Sequence, residues 1–303
     1  MLSDKLTGIS ILVAVYNYSV EVLLDGLTLQ LSKIKIPAEV IFMDDCSANT
    51  EISRHNLTLT ENRTAIRYIV SHKNVGRSAI RNRLAQQANY SHLLFIDVDS
   101  KIVNPDFLEN YLLHIEDAPV IAGGTVYSEL KNSLHSLRFY YGKNREEVAA
   151  AQRNQDPYAA ITLNNLFIEK TVYLKFPLDE QLTHYGHEDT KFGYELKANN
   201  VSLLHIDNPV EHIGLEDNPA FLEKTKLGVI NFVKLVREGL GHESKLYRAY
   251  QKLERFHTIG LFRFFYTRFS KKIMKNLLSE KPSIRLFDLY KLHIFIDELK
   301  KVS

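Results

Sequence analysis

The first half of the chain alternates short apolar runs with stretches of amphipathic periodicity. The apolar runs are rich in β-branched residues and predict buried strands over residues 9–15, 40–43, 66–70 and 93–96. Between them, the spacing of apolar positions predicts helices over 20–31 and 77–88. Strands that alternate with helices in this way are typical of an α/β fold with a mostly parallel central sheet.

The middle of the chain is less regular, and its end is helical. Residues 121–126 and 201–206 predict further strands, with Gly123-Gly124 as a turn and Asn208-Pro209 as a break. From Pro219 onward the pattern is helical. The sequence therefore predicts an α/β domain over residues 1–215 and a helical C-terminal extension over 216–303.

Carboxylates follow several of the predicted strands, at the edge where ligands of parallel sheets bind. Asp97 and Asp99 come directly after the strand at 93–96, and alternation along an extended segment predicts that they point to the same side. Such a pair suits a hard cation, Mg²⁺ or Mn²⁺, shared with a substrate phosphate. A solvated loop with two acids is the alternative interpretation.

Two more acidic pairs and one histidine are candidates for chemistry. Asp44 and Asp45 end the second strand and could accept hydrogen bonds from a base or ribose, or could cap a helix. Glu188 and Asp189 start a helical pattern, where a carboxylate either stabilises the helix or acts as a general base. His212 follows a predicted strand and could complete a metal site, although most histidines serve structural roles.

Composition narrows the class of protein. The chain has 303 residues, of which 45% are hydrophobic and 24% charged, so disordered, collagen-like and disulfide-stabilised classes are excluded. The only cysteine, Cys46, forms no internal disulfide and fits a reducing compartment. No secretory leader is expected in residues 1–8, and the apolar run at 9–15 is too short to span a membrane. These features favour a cytoplasmic location.

The net charge of +2 conceals an asymmetry. From Gly241 onward the chain has 14 lysines and arginines against six acidic residues, a net charge of +8, while the preceding 240 residues have −6. Within this basic tail, residues 261–278 predict an amphipathic helix with a stripe formed by Phe262, Phe265, Phe269 and Ile273. The stripe either packs on the protein or a second subunit, or lies on an anionic membrane surface at the inner membrane face.

In this order, the motifs resemble those of the family 2 glycosyltransferases with the GT-A fold, as found in bacterial polysaccharide synthesis. The matching segments are residues 9–17, 40–47, 74–82, 95–99 and 187–190, followed by His212. Residues 164–196 are also similar to the second half of the chondroitin-polymerase and galactosyltransferase type of domain. Each motif is weak alone, but the ordered set is specific, and it covers about the first 215 residues.

The resemblance implies a role for each matching residue. The nucleotide would be held by residues of the first, second and third segments and by the first acid of the D-x-D motif: Tyr16, Asn17, Asp44, Asp45, Asn74, Gly76, Arg81 and Asp97. Asp99, with Asp97 and His212, would hold the divalent metal, Mn²⁺ or Mg²⁺. Asp189 would be the catalytic base, with Glu188 as the alternative.

The sequence departs from the family pattern at two places. Cys46 stands where the family has a glycine, and Asn49 or Thr50 replaces a later aspartate. The helix that begins with Glu188-Asp189 continues as Tyr194-Glu195-Leu196-Lys197, where the family frequently has an arginine or lysine. The first departure affects the geometry of the turn after the second strand.

The resemblance implies a metal-dependent enzyme of the hexosyltransferase class. It would move a sugar with inversion from a nucleotide-diphosphate sugar, most simply a UDP-sugar, to a hydroxyl of a saccharide or lipid-linked saccharide, in surface polysaccharide or glycan synthesis. An inactive scaffold or binding protein and a sugar nucleotidyltransferase are the alternatives, although no glycine-rich phosphate loop follows the first strand. A nucleic-acid partner is not expected, and a homodimer is compatible with the sequence.

Overall fold

The computed structural model describes residues 6–181 and 186–301, which form two compact units. The first unit consists of residues 6–127, 146–181 and 188–214, and the second of 128–145, 186–187 and 215–301. The first five residues, part of the segment in which no leader is expected, lie outside the described part of the chain. The division at residue 215 stays a prediction, and the second unit also includes residues 128–145.

The described residues contain ten strands and twelve α-helices. The strands are β1 (Ile9–Val15), β2 (Ala38–Asp44), β3 (Ile66–Val70), β4 (His92–Ile96), β5 (Ser100–Ile102), β6 (Val120–Ala122), β7 (Thr125–Val126), β8 (Asn165–Glu169), β9 (Leu203–His205) and β10 (Val210–His212). The helices are α1 (Glu21–Leu31), α2 (Thr50–Thr60), α3 (Arg77–Gln87), α4 (Phe107–Leu113), α5 (Ser136–Arg145), α6 (Ala150–Arg153), α7 (Lys170–Lys175), α8 (Glu188–Ala198), α9 (Asn218–Arg237), α10 (Lys245–Arg255), α11 (Ile259–Leu277) and α12 (Ile284–Lys300).

Seven strands of the first unit form a sheet in the order β3-β2-β1-β4-β8-β6-β9. The first four are parallel to one another, β8 is antiparallel to its neighbours β4 and β6, and β9 is parallel to β6. The predicted α/β class with a mainly parallel sheet is therefore confirmed. The strand β8 is not among the predicted elements.

Helices cover both faces of this sheet, as the alternation of β1 shows. Ile11 and Val13 point to the face on which Leu23 of α1 packs, whereas Leu12 points to the face covered by Leu84 of α3. All five side chains are almost fully buried, and each such burial contributes about 1.5–3 kcal/mol. The helices packed on the two faces therefore hold the strands of the sheet in place.

The single strand predicted over residues 121–126 is wrong, because the chain changes sheets at Gly123-Gly124. β6 belongs to the large sheet, and β7 belongs to a small sheet of order β5-β10-β7. A Cβ on Gly123 would lie 2.3 Å from the Tyr111 hydroxyl oxygen, and Gly124 has φ of +89°. The small sheet pairs His212 of β10 with Ser100 of β5, the residue that follows Asp99.

The second unit is helical, which confirms the helical C-terminal part of the predicted fold. Two buried clusters hold α5 and α9 to α12 together, one around Phe287 and the other around Phe295. The predicted amphipathic stripe of α11 is divided: Phe262 and Ile273 pack into the first cluster, whereas Phe265 and Phe269 are exposed. Across the described residues, no helix combines the length and the hydropathy needed to span a bilayer.

Candidate active site

The carboxyl ends of β1, β2 and β4 meet at one edge of the large sheet, because these strands are parallel neighbours. Polar residues follow each strand there: Tyr16 after β1, Asp45 after β2 and Asp97 after β4. Ligands of open α/β sheets bind at such an edge. Every residue for which the sequence predicts nucleotide, metal or base chemistry lies in the first unit.

Asp44 is fully buried and holds the turn that follows β2. Its Oδ1 accepts from the Ser47 backbone N–H at 2.7 Å. Its Oδ2 accepts from the Ser53 hydroxyl at 2.7 Å and from the Tyr68 hydroxyl at 2.8 Å. Three protein donors thus satisfy this carboxylate, so the direct effect of Asp44 is on the shape of the turn, and its contact with a nucleotide stays a prediction.

Asp45 ties the same turn to the start of α3. Its carboxylate accepts from the backbone N–H groups of Val75 at 2.7 Å and Gly76 at 2.9 Å. The Asn74 side-chain amide donates to the Asp45 carbonyl oxygen at 3.0 Å. Burial raises the pKa of Asp45, although the two N–H groups oppose that effect. The predicted residues Asp45, Asn74 and Gly76 are therefore brought together in one loop pair.

The end of β1 is fastened to the β2 turn by Asn17. Its backbone N–H donates to the Ser47 hydroxyl at 2.8 Å, and its Oδ1 accepts from the Asn49 N–H at 2.8 Å. Tyr16, next to it, is 50% exposed, and an exposed aromatic ring can stack on a planar ligand. Cys46 has φ of +58°, the left-handed conformation that a glycine adopts without strain.

Asp97 and Asp99 lie in a turn, so the extended segment from which their common direction is predicted is not formed. The Ser100 N–H donates to the Asp97 carbonyl oxygen at 3.1 Å, which closes a turn over residues 97–100 in place of an extended segment. Asp97 instead contacts Arg81 of α3, with 2.6 Å between Oδ1 and Nη2. Although burial alone would raise the pKa of Asp97, the Arg81 guanidinium holds it below its usual range.

Arg81 is buried in this ion pair, with 7% of its side chain exposed. The family resemblance implies that Arg81 holds the donor nucleotide, and that contact stays a prediction. In the structure its guanidinium lies within electrostatic range of Glu188 and Asp189 as well as Asp97. Arg81 therefore joins the D-x-D motif to the acidic pair of α8.

Asp99 lies beside His212, with 3.6 Å between the Asp99 Oδ1 and His212 Nδ1 atoms. The Ile213 N–H donates to the Asp99 carbonyl oxygen at 2.9 Å, which fixes β10 against the turn. Gly214 makes this approach possible, because a Cβ there would lie 2.5 Å from the Asp99 side chain. Among the described residues, the buried His212 Nε2 has no hydrogen-bond partner.

The residues at this point fit a divalent cation that is only partly held by protein. Within residues 6–181 and 186–301, no group of three or more His, Cys, Asp and Glu side chains is arranged to hold a metal ion. Asp99 and His212 supply one carboxylate and one imidazole with an unpartnered buried nitrogen. Mg²⁺ and Mn²⁺ accept such ligands and commonly complete their shell with waters and ligand phosphates.

Glu188 and Asp189 occupy the first turn of α8 and differ in their surroundings. The Glu188 Oε1 lies 3.5 Å from the Arg77 Nη1 atom in an ion pair. Burial first, and then the neighbouring Glu188 carboxylate, raise the pKa of Asp189 to about 7 against the opposing effect of Arg81. A carboxyl with this pKa accepts a proton readily near neutral pH.

The sequence matches the Glycosyl transferase family 2 profile over residues 10–165, which is more than half of the chain. The chain belongs to glycosyltransferase family 2. A search of curated protein sequences found no match. The family membership accounts for the order of the motifs along β1, β2, α3 and β4.

Solved structures show that this family 2 glycosyltransferase has the predicted GT-A fold. The mannosyltransferase PcManGT from Pyrobaculum calidifontis, in complex with GDP-Man and Mn²⁺, is 13% identical, with a TM-score of 0.61 over 99% of this chain and 88% of that one. TarS from S. aureus is 16% identical, with a TM-score of 0.52 over 97% of this chain and 54% of that one. The TarS 1-349 fragment is 19% identical, with a TM-score of 0.49 over 74% of this chain and 65% of that one. The chain thus spans less than two thirds of the length of these TarS chains.

Two residues of this glycosyltransferase were missed by sequence reasoning. Arg77 starts α3 beside Gly76 and pairs with Glu188. The sequence does contain a signal for Arg77: a cation in the first turn of a helix is disfavoured by the helix dipole, so it indicates another role. Gly214 lies just beyond β10, and its contact with Asp99 depends on a pairing of distant segments. No local pattern could have identified it.

Proposed function

We propose that this family 2 glycosyltransferase transfers a sugar with inversion from a UDP-sugar to a hydroxyl of a saccharide, free or lipid-linked, in the synthesis of a surface polysaccharide or glycan. The observation that carries the proposal is the cluster of Asp97, Arg81, Glu188 and Asp189, which joins the predicted donor edge to a carboxyl of neutral pKa. The fold and the family support the reaction class, and the resemblance of the sequence motifs supports the uridine donor.

In the proposed reaction, Asp189 removes the proton of the acceptor hydroxyl as its oxygen attacks the anomeric carbon. The new carbon–oxygen bond forms as the bond to the diphosphate breaks, and the bonding electrons leave with the diphosphate. The proton remains on the Asp189 carboxyl. Glu188 is the second choice for the base, because its carboxylate already faces Arg77 in an ion pair.

Asp99 and His212 would hold the divalent cation, Mn²⁺ or Mg²⁺. When bound, the cation supplies positive charge that neutralises the departing diphosphate. The chain itself fixes the positions of the two carboxylates: Gly214 and Ile213 keep Asp99 against β10, and Arg81 holds the Asp97 carboxylate in an ion pair. Tyr16 would stack on the base, and Asn17, Asp45 and the loop at Asn74 would shape its pocket.

The base is tested by single-turnover transfer with Asp189→Asn, Glu188→Gln and a matched control, Asp117→Asn, which lies at an exposed position of the same unit. Loss of a general base lowers the rate by about 10² to 10⁴. We expect that loss for Asp189→Asn alone. Full activity in both acidic variants would refute the assignment.

The donor and the class of reaction are tested with a panel of UDP-, GDP- and dTDP-sugars, with and without saccharide acceptors. GDP sugars belong in the panel because PcManGT was solved with GDP-Man. Transfer from a UDP-sugar, with an anomeric configuration opposite to that of the donor, is expected. Nucleotide binding without turnover would indicate a scaffold, and formation of a sugar nucleotide from a sugar phosphate would indicate a nucleotidyltransferase.

A further inference from the structure

One face of α11 is both apolar and basic, and it is exposed. We call it the basic aromatic face: Leu261, Phe264, Phe265, Arg268, Phe269 and Lys272. At 100° per residue these positions fall within an arc of roughly 140°. Leu261 is 56% exposed, Phe264 66% and Phe265 50%. Soluble proteins rarely leave such a group of large apolar side chains in water without a binding role.

A different face of α11 stabilises the second unit. Tyr266, Ile273 and Leu277 are buried in the cluster that includes Phe287. Arg263 pairs with Asp297, with 3.0 Å between Nη2 and Oδ1. The basic aromatic face is therefore additional to the packed face, since α11 already has the contacts that hold it in its unit.

The charge on this face is uncompensated. Residues 255–279 contain six lysines and arginines and no acidic residue. Within the described part of the chain, no carboxylate lies at ion-pair distance from Arg268, Lys271, Lys272 or Lys275. Lys271 and Lys275 extend the positive charge along one side of the face.

The cations and the aromatic rings are interleaved. The Arg268 Cζ atom lies 5.9 Å from the centre of the Phe269 ring, and the Lys272 Nζ atom lies 5.8 Å from it. Long basic side chains in this position keep their charged ends at the level of lipid phosphates while aromatic rings enter the acyl boundary. This arrangement is complementary to a surface that is apolar inside and anionic at its edge.

The same charges disfavour a second copy as the occupant. A twofold contact through this face would bring Arg268 and Lys272 of one copy toward the same residues of the other, and residues 255–279 offer no carboxylate to neutralise them. From charge complementarity, we propose that the basic aromatic face docks the protein on an anionic lipid surface. This surface is additional to the donor and acceptor sites of the proposed function.

The 303-residue chain allows a direct test because it contains no tryptophan. Phe264→Trp introduces a single tryptophan on the face, and Leu113→Trp places one at a site of the first unit that is 77% exposed. Vesicles of phosphatidylcholine alone are compared with vesicles of two parts phosphatidylcholine and one part phosphatidylglycerol. With the anionic vesicles, we expect the tryptophan emission of the Phe264→Trp variant to shift to shorter wavelength and that of the Leu113→Trp control to stay unchanged.

Matched variants separate the apolar and the charged contributions. Phe264→Ser with Phe265→Ser removes two exposed rings, and Lys271→Gln with Lys272→Gln removes two cations. Lys35→Gln with Lys197→Gln is the control for charge, since both lysines are exposed in the first unit. In co-sedimentation with anionic vesicles, the first two variants should bind at least tenfold more weakly than the control. Binding should also weaken at about 1 M salt, where the Debye length is about 3 Å.

The proposal is overturned if the wild-type chain fails to bind anionic vesicles at low ionic strength, or if the Phe264→Ser, Phe265→Ser variant binds as well as the control. A dimer in solution that this variant dissociates, without vesicle binding, would make the face a subunit interface instead. Unfolding transitions of the variants that match the wild type exclude a general loss of structure. Vesicle binding is measured without donor or acceptor, so its outcome does not depend on the proposed transfer reaction.

Discussion

Asp189 is the residue at which stability and proposed catalysis are opposed. Its carboxyl is held among Glu188, Arg81, Asp97 and Tyr173, and its pKa is raised to about 7 from 3.8. A raised carboxyl pKa means that the folded state keeps a proton that the unfolded state has already lost. The charged form of Asp189 therefore destabilises the fold, as is common for groups tuned to a reaction.

This conflict gives a prediction with a definite sign. Below about pH 4, Asp189 is protonated in both the folded and the unfolded state and has no effect on stability. Between about pH 4 and 7 the free energy of unfolding falls as pH rises, and above about pH 7 it falls no further on account of Asp189. Asp189→Asn should therefore be more stable than wild type by up to about 4 kcal/mol near pH 8, and equal to it near pH 4. Urea unfolding at several pH values measures the difference.

The matched control for this prediction is Asp179→Asn. Burial alone would raise the pKa of Asp179, but the Lys191 ammonium lowers it. The Lys191 Nζ atom lies 2.6 Å from the Asp179 Oδ2 atom. The amide should therefore cost stability at neutral pH. If Asp189→Asn also lost stability near pH 8, its carboxylate would be a structural anchor and the assignment as a base would lose its support. Under the proposed mechanism, the wild-type rate should rise with pH through about 7.

Gly214 gives a second test at the scale of one residue. An alanine Cβ there would lie 2.5 Å from both the Cβ and the Oδ2 of Asp99, so the Asp99 side chain must move. Displacement of a ligating group by about 1 Å lowers rates by up to about 10². For Gly214→Ala we expect at least a tenfold rise in the Mn²⁺ concentration that gives half-maximal transfer.

The control for Gly214→Ala is Gly260→Ala in α11, where an added Cβ meets no atom within 4 Å. It should leave the metal dependence unchanged. An unchanged metal dependence in Gly214→Ala as well would contradict a ligating role for Asp99.

At the scale of elements, local periodicity predicts most strands of the large sheet. The strand over residues 9–15 and the helix beginning at Arg77 follow directly from the apolar spacing. The strand β8 was missed because its antiparallel pairing with β4 and β6 depends on distant segments. The turn after β4 was missed for a related reason: Asp97, at its start, pairs with Arg81 of α3, which lies 16 positions earlier in the sequence.

The Arg81–Asp97 pair joins α3 to the turn after β4, so its loss should lower the free energy of unfolding. Arg81→Met leaves the mostly buried Asp97 carboxylate without its partner, which we expect to cost about 3 kcal/mol. Adding Asp97→Asn should recover part of that cost, because the unpaired charge is then removed. Chemical denaturation of the two single variants and the double variant measures the coupling.

Arg145→Met is the comparison for Arg81→Met. Arg145 pairs with Asp288 at 2.7 Å, but both side chains are more than a third exposed, so the expected cost is below about 1 kcal/mol. Equal costs for Arg81→Met and Arg145→Met would mean that the Arg81 pair does not hold the elements together.

At the scale of the whole molecule, the near-neutral net charge of +2 reflects two different surfaces. The acidic residues of the first 240 positions include the carboxylates of the candidate site, and the excess of cations lies in the final helices. The order of the family 2 motifs predicts which residues form the site, and their roles stay predictions. The contacts among them, such as those of Asp44 with Ser53 and Tyr68, required the fold.

Binding of the donor nucleotide should stabilise the whole molecule in a way that reports on the metal ligands without turnover. A ligand that binds only the folded state adds about 2.7 kcal/mol at a hundredfold excess over its Kd, which corresponds to a rise in Tm of about 5 °C. We expect UDP with Mn²⁺ to raise Tm more than UDP alone in the wild type. In Asp99→Asn with His212→Gln, the increment due to Mn²⁺ should disappear while the effect of UDP remains, because Tyr16 and the β2 turn are intact. An undiminished Mn²⁺ increment in that double variant would show that the cation binds elsewhere, and a larger shift with GDP than with UDP would reassign the donor.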